Sequence, residues 1–512
     1  MRRNVLIVNC FFDEYRRASG SPYRVPRAMG PVYLAGAFNP ETTDVRLHNE
    51  QYAGPLTDTG LLGWADLLVL TGVTASFDRM LHLTAYARTL NPRVRVAAGG
   101  PSVRALPKRS RRFFDYVCLG DIEELQDVAR DALGEAHVAE EMFPRYDLAD
   151  RSHLLGYVEA SRNCNFACAF CSLTGEKGRY RIYDVDYVRR QIEACGKKHI
   201  VFLDNNFFGS NRRAFTDRIE LLRDLRRSGR IESWSALVTG DFFAKEQNLD
   251  LVRDTGCYAL FSGVESFDEA TLRAYNKRQN TVAPQVEMIR NCLEAGILFN
   301  YGIILDNTTR TLQELHAEID FILAHDEITL PAFYTLVIPL LGTPYFQECV
   351  EQGRILPGVR LRDLNGISVS MRGPDPVEDT VAFARDLVSL SGYRKKVYRH
   401  AFSFHRRYWR KFTGLQHVAA AANAFLTTLP TIASSPANVR RKIDKPSYLA
   451  PTEPLDRLYQ PIIPVAAKYE SYFQPTMVTD CRGDLAEDLI EDFPDLTRTQ
   501  TSAEPEEMRK TG

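Results

Sequence analysis

The chain has 512 residues, 45% hydrophobic and 25% charged, with 64 basic against 65 acidic side chains and a formal charge of −1. That length exceeds what one hydrophobic core organises and implies about two to four domains, while the charge balance argues against bulk nucleic-acid binding. Neither a signal peptide nor a transmembrane helix is expected, because Asp13 and Glu14 interrupt the first apolar stretch and no run of about twenty apolar residues follows; mostly scattered cysteines fit a cytoplasmic chain.

From the start, "NVLIVNC" reads as a strand, "GPVYLAGAF" as a compact helix, "DVRLHNE" as an extended run and "ADLLVLTGVTAS" as an apolar strand ending in small residues. A helix through "FDRMLHLTAYARTL" and strands at "RVRVAAGG" and "FDYVCLGD" complete an alternation over residues 1–138. This pattern predicts an α/β, doubly wound, Rossmann-like parallel sheet. Ligands bind beyond the carboxyl ends of such strands, here Asn9 and Cys10, Gly72 to Ser76, Gly99 and Gly100, and Gly120 to Glu123.

A polar link, 139–156, leads into a second alternation over 157–372. Strand-like runs recur at "YVEAS", "HIVFLDNN", "SWSALVT", "YALFSGVES", "LFNYGIIL" and "AFYTLVIP", with helical stretches between them. Six β/α units predict a partial, TIM-like (β/α)6 barrel, whose functional residues gather at the C-terminal strand ends. Residues 373–485 read as a helical, aromatic region and 486–512 as a polar, disordered tail.

Directly after the first barrel strand, "ASRNCNFACAFCSLTG" sets Cys164, Cys168 and Cys171 in a C-x3-C-x2-C loop. Structural zinc is one reading, although such sites use four protein ligands and the next His is His199. Coincidental buried thiols are another. An iron-sulfur cluster with one iron free of protein ligands fits three thiolates best, the open iron being available to a substrate or cofactor.

With these residues in view, the chain resembles the radical S-adenosylmethionine (SAM) enzymes, whose C-x3-C-x2-C loop holds a 4Fe-4S cluster. Phe170 before Cys171 matches that pattern. Further resemblances follow in order: "FLDNNFFG", with Asn205 and Asn206 where many members carry Gly-Gly-Glu or paired Asp; "FSGVESF", which implies SAM contacts for Glu265 and Ser266; "YGIILDNTTRT"; and "IPLLGTP", with Gly342 and Pro344 in its turn. The resemblance implies SAM cleavage to a 5′-deoxyadenosyl radical, a small-molecule substrate and a one-electron reductant such as flavodoxin or ferredoxin.

The N-terminal sheet in this combination resembles the cobalamin-binding subgroup. "TGVTAS", "AAGGPS" and "DYVCLGDIEE" carry the likeness, implying cobalamin contacts for Thr74, Ser76, Gly99, Gly100 and Gly120. Paired glycines at 99 and 100 let backbone approach a flat nucleotide tail, or simply make a turn. Residues 1–47 contain no His, so the resemblance implies cobalamin without an imidazole ligand from the first loop; Cys10 either faces the corrin or packs.

The expected function is a cobalamin-dependent radical SAM C-methyltransferase. A radical cyclase, rearranging or oxidising enzyme without methyl transfer is the alternative, and a non-catalytic corrinoid-binding protein the second. The basic, aromatic stretch "SGYRKKVYRHAFSFHRRYWRKF" reads as a helix docked on the barrel mouth, as a site for an acidic substrate, or as a membrane-surface contact.

Overall fold

The computed structural model describes residues 2–12, 29–149, 154–281, 284–366, 368–389, 392–426 and 461–496, in two compact units. The first contains a sheet of five strands: β1 (Arg3–Cys10), β2 (Thr43–Asn49), β3 (Leu67–Gly72), β4 (Arg95–Ala98) and β5 (Tyr116–Val117). Their order is β2-β1-β3-β4-β5, parallel throughout. All five predicted strands are present. Val5 to Val8 of β1 are fully buried, as expected of a central strand covered on both faces. One face packs Val5, Ile7, Val45, Val69 and Ala97 against Phe38 and against Leu125 and Val128 of the helix Glu124–Leu133.

Strand order reverses between β1 and β3, which opens a crevice at their carboxyl ends. Behind it lies the helix Phe77–Leu90, buried from Phe77 to Ala87. Its Arg79 forms an ion pair with Glu50 at 2.8 Å, both side chains being fully buried. Glu50 also accepts from the Phe11 and Leu56 amides, at 3.1 and 2.8 Å. Those bonds satisfy a charge pair that burial alone would disfavour.

Two later segments belong to this unit. Ile338–Arg372, read from sequence as the end of the barrel domain, packs here with residues 461–496. Backbone bonds join them, Val478 N to Val359 O at 2.7 Å and Leu361 N to Thr476 O at 2.8 Å. Disorder from residue 486 was also expected. Instead Glu487–Ile490 is helical, Leu489 is buried and Asp488 accepts from Arg109 at 2.5 Å, so an apolar anchor and an ion pair order the chain through 496. Residues 497–512 lie outside the described part.

The second unit is built on six parallel strands: β6 (Leu155–Val158), β9 (His199–Phe202), β10 (Ser233–Leu237), β11 (Cys257–Glu265), β12 (Leu298–Leu305) and β13 (Phe333–Leu336). Their order is β13-β12-β11-β10-β9-β6, the open half-barrel that the six sequence runs predict. A small antiparallel pair, β7 (Ser161–Arg162) and β8 (Arg181–Ile182), brackets the cysteine loop. Helices Val377–Ser389, Arg394–Arg407 and Gly414–Leu426 follow. The predicted helical region holds to residue 426, whereas 461–496 contains only short helical turns.

Candidate active site

Cys164, Cys168 and Cys171 lie between β7 and β8, beyond the carboxyl end of β6. Cys168 is buried and the other two are half-buried. Burial pushes the Cys164 and Cys171 thiols up; neighbouring backbone amides and Lys277 oppose it. Among the described residues, no three His, Cys, Asp or Glu side chains converge to share one metal ion. Three thiols on one loop suit a cluster, in which separate irons each take one thiolate.

The loop is shaped by a segment far along the chain, Tyr275 to Asn280. Ala169 N donates to Tyr275 O at 2.9 Å, and Asn276 Nδ2 donates to Ala167 O at 3.0 Å. Gln279 Nε2 donates to Cys168 Sγ at 3.3 Å. Phe170 rests on Tyr275 with ring centroids 4.9 Å apart, and Lys277 Nζ lies 5.6 Å above the Phe170 ring. These residues were not singled out from sequence, because a polar "YNKRQN" carries no periodicity and its partners are remote.

On the other side, Asp204 fastens the end of β6. Its carboxylate accepts from Ala160 N at 2.9 Å and Ser161 Oγ at 2.5 Å, with Arg218 Nη1 at 3.9 Å. Burial pushes this carboxyl up to about 6 against the pull of those donors. The neighbouring predicted residues divide. Asn205 is exposed, whereas Asn206 is buried, and its Nδ2 donates to Asn165 Oδ1 at 2.8 Å. The Asn206 Oδ1 has no hydrogen-bond partner among the described residues.

Glu265 ends β11 with φ +63°, in a left-handed conformation that costs a non-glycine residue about 1–3 kcal/mol. The register with β12 slips between Gly263 and Glu265. Lys277 holds its carboxylate in a short hydrogen bond, and Asn280 Nδ2 ties down the Gly263 carbonyl at 2.7 Å. Such bulges re-aim side chains near functional sites. Ser266, predicted beside it as a SAM contact, donates its hydroxyl to Glu318 Oε1 at 2.7 Å and accepts from Asp268 N at 3.0 Å.

The geometry suits a ligand that carries hydrogen-bond donors, such as an ammonium group, next to the thiols. Asn206 Oδ1, Gln279 Oε1 and Asn280 Oδ1 are buried acceptors lacking partners among the described residues, where an unmade bond costs about 1–3 kcal/mol.

In the first unit, the predicted positions collect at the crevice end of the sheet. Thr74 and Ser76 are buried in the turn after β3. Ser76 Oγ and Ser102 Oγ are buried without partners among the described residues, while Val73 and Leu119 stand exposed nearby in sequence at the ends of β3 and β5. Gly120 N donates to Glu124 Oε2 at 2.6 Å. Gly100 has φ +104°, and a Cβ there would lie 3.0 Å from Gly72 O, so backbone packing already demands glycine. Cys10 is buried, and burial raises its thiol well above the ordinary range. Hydroxyls wanting partners beside exposed apolar groups fit a large amphipathic ligand such as a corrinoid. Residues 13–28, which belong to the loop lacking His, lie outside the described part.

Comparison with known proteins agrees with this geometry. Residues 158–320 match the model of the radical SAM superfamily. The chain is 26% identical over 380 residues to hopanoid C-2 methylase of Rhodopseudomonas palustris, across 68% of this chain and 70% of that protein. It is 23% identical to bacteriochlorophyllide d C-8(2)-methyltransferase of Chlorobaculum tepidum, across 51% of this chain and 63% of that protein. Two solved structures share the fold. The cobalamin-dependent SAM radical enzyme OxsB, with aqua-cobalamin bound, gives a TM-score of 0.57 at 17% identity, covering 85% of this chain and 74% of that one. The radical SAM methyltransferase TsrM of Kitasatospora setae, with tryptophan and a SAM analogue bound, gives 0.53 at 18% identity, covering 70% and 78%. A radical SAM domain implies a 4Fe-4S cluster and SAM. No helix among the described residues is long and apolar enough to cross a membrane. With its three-thiol loop at the mouth of a six-stranded half-barrel, the segment 158–320 is a radical SAM domain.

Proposed function

We propose that this enzyme is a cobalamin-dependent C-methyltransferase acting on an unactivated carbon of a small-molecule substrate. The observation that carries the reading is the cysteine loop tied to residues 275–279, beside buried acceptors that lack partners. The methylase names of the curated relatives support methyl transfer, and hopanoid C-2 methylase, by its name, acts on a hopanoid. An apolar, polycyclic substrate is the class we assign.

Cys164, Cys168 and Cys171 would hold the cluster, and Asn206 and Glu265 would contribute to holding SAM. When bound, the cluster supplies one electron for carbon–sulfur cleavage in SAM, and cobalamin supplies a methyl group. The protein's part is positional. Asp204 fixes the strand from which the loop springs, Gln279 orients one thiolate, and the Lys277–Glu265 pair sets the end of β11. Asn206 Oδ1 offers an acceptor to the SAM ammonium group. In the first unit, Thr74, Ser76 and the backbone around Gly99, Gly100 and Gly120 would cradle the corrinoid. A reduced flavodoxin or ferredoxin would deliver the electron.

The test is anaerobic reconstitution with iron, sulfide and cobalamin. Iron and sulfide near four each per chain, and label passing from methyl-labelled SAM first to cobalamin and then to product, support the reading. Cys168→Ala should abolish deoxyadenosine formation. Stoichiometric zinc without labile sulfide defeats the cluster assignment. Deoxyadenosine formed without any label reaching cobalamin selects the radical chemistry that lacks methyl transfer.

A further inference from the structure

The helix Arg394–Arg407 has two dissimilar faces. Val397, His400 and Phe404 are buried, as is Tyr408 just beyond it. On the opposite side Tyr398 and Phe402, one turn apart, are 54% and 72% exposed, and Trp409 past the helix end is 71% exposed. The stripe continues onto the helix Gly414–Leu426. The Trp409 ring lies 5.4 Å from that of His417, and Leu415 and Val418 are 64% and 66% exposed. Apolar residues exposed singly need no explanation, whereas five in one run mark a contact surface.

The charges beside the stripe divide in two. Lys396, Arg407 and Lys411 form ion pairs with Asp320, Asp326 and Glu294 at 2.6, 2.6 and 3.2 Å. Lys395, Arg399, Arg406 and Arg410 are exposed and make no ion pair among the described residues. At 100° per residue, Lys395, Arg399 and Arg406 fall on the same side of the helix as Tyr398 and Phe402. Aromatic rings flanked by uncompensated cations match the headgroup layer of an acidic bilayer, where rings sit at the interface and cations meet lipid phosphate. A second copy of the chain docking by the same face would oppose like charges.

We propose that this face seats the enzyme on an anionic lipid bilayer, as a peripheral contact. The proposal rests on exposure and charge alone and is independent of the methyl-transfer reading.

Flotation of the full-length chain with vesicles tests it, comparing phosphatidylcholine alone with phosphatidylcholine containing phosphatidylglycerol. The protein should float with the acidic vesicles only and should be released by high salt. Arg399→Gln and Arg406→Gln should each weaken partitioning about fivefold. Phe402→Ser with Trp409→Ser should abolish flotation while leaving the thermal unfolding temperature unchanged. Absence of flotation by the parent, equal flotation of parent and the double serine variant, or a dimer that Phe402→Ser dissociates would each overturn the proposal. If the serine variant does not fold, the two Arg→Gln variants, which alter only exposed side chains, decide the matter.

Discussion

Gln279 Nε2 donates to Cys168 Sγ at 3.3 Å across 111 residues of sequence. A hydrogen bond to a cluster thiolate favours the reduced, more negative state. If the bond is worth about 1 kcal/mol more to that state, Gln279→Leu should lower the cluster potential by about 40 mV. Electron paramagnetic resonance during a redox titration of the reconstituted protein measures this. An unchanged potential at unchanged iron content would show that the amide does not act on the cluster.

Lys277 and Glu265 form a pair whose side chains are 8% and 13% exposed. Lys277→Met strands a largely buried carboxylate, and a loss of about 3 kcal/mol in stability is expected. Adding Glu265→Gln to that variant should restore part of the loss, as urea unfolding of the two would show. Equal stability of the single and double variants would mean that the pair is not coupled.

Asp204 sets a pH dependence of defined sign. Its carboxyl rises from 3.8 to about 6 on folding, so the folded chain binds this proton more tightly than the unfolded one. The contribution is therefore full below pH 3.8 and is lost as pH rises toward about 6. That gap is worth at most about 3 kcal/mol. Denaturation midpoints for the parent and Asp204→Asn across this window should show the slope in the parent only.

At Gly100, φ of +104° and the 3.0 Å approach to Gly72 O act together. Gly100→Ala should cost more than about 1 kcal/mol and should weaken corrinoid binding through displaced backbone. Calorimetry and equilibrium dialysis with aquacobalamin separate the two effects. A variant as stable as the parent would remove the strain argument.

Periodicity made the two sheets readable: every predicted strand, from "NVLIVNC" to "AFYTLVIP", is a strand, since alternating apolar runs report burial directly. The cysteine loop was legible because clustered thiols are rare. What escaped were residues whose roles arise from long-range contact. The "FLDNN" motif pointed to Asn205 and Asn206; Asp204 and Asn206 are both buried and Asn205 is exposed, and the fastening role of Asp204 arises from contacts with Ala160 and Ser161 more than forty positions earlier. The bond from Ser266 to Glu318, 52 positions later, is another such contact. Likewise, Ile338–Arg372 joined the first unit through backbone bonds to Thr476 and Val478, which no local pattern announces.

The tether between the cysteine loop and Tyr275–Asn280 also bears on how the enzyme is made. Ala167 and Cys168 meet Asn276 and Gln279 only after more than a hundred further residues have been synthesised. A ribosome-bound chain ending before Tyr275 carries all three thiols but none of the groups that shape the loop around them. The loop therefore reaches its final shape only once translation has passed Asn280.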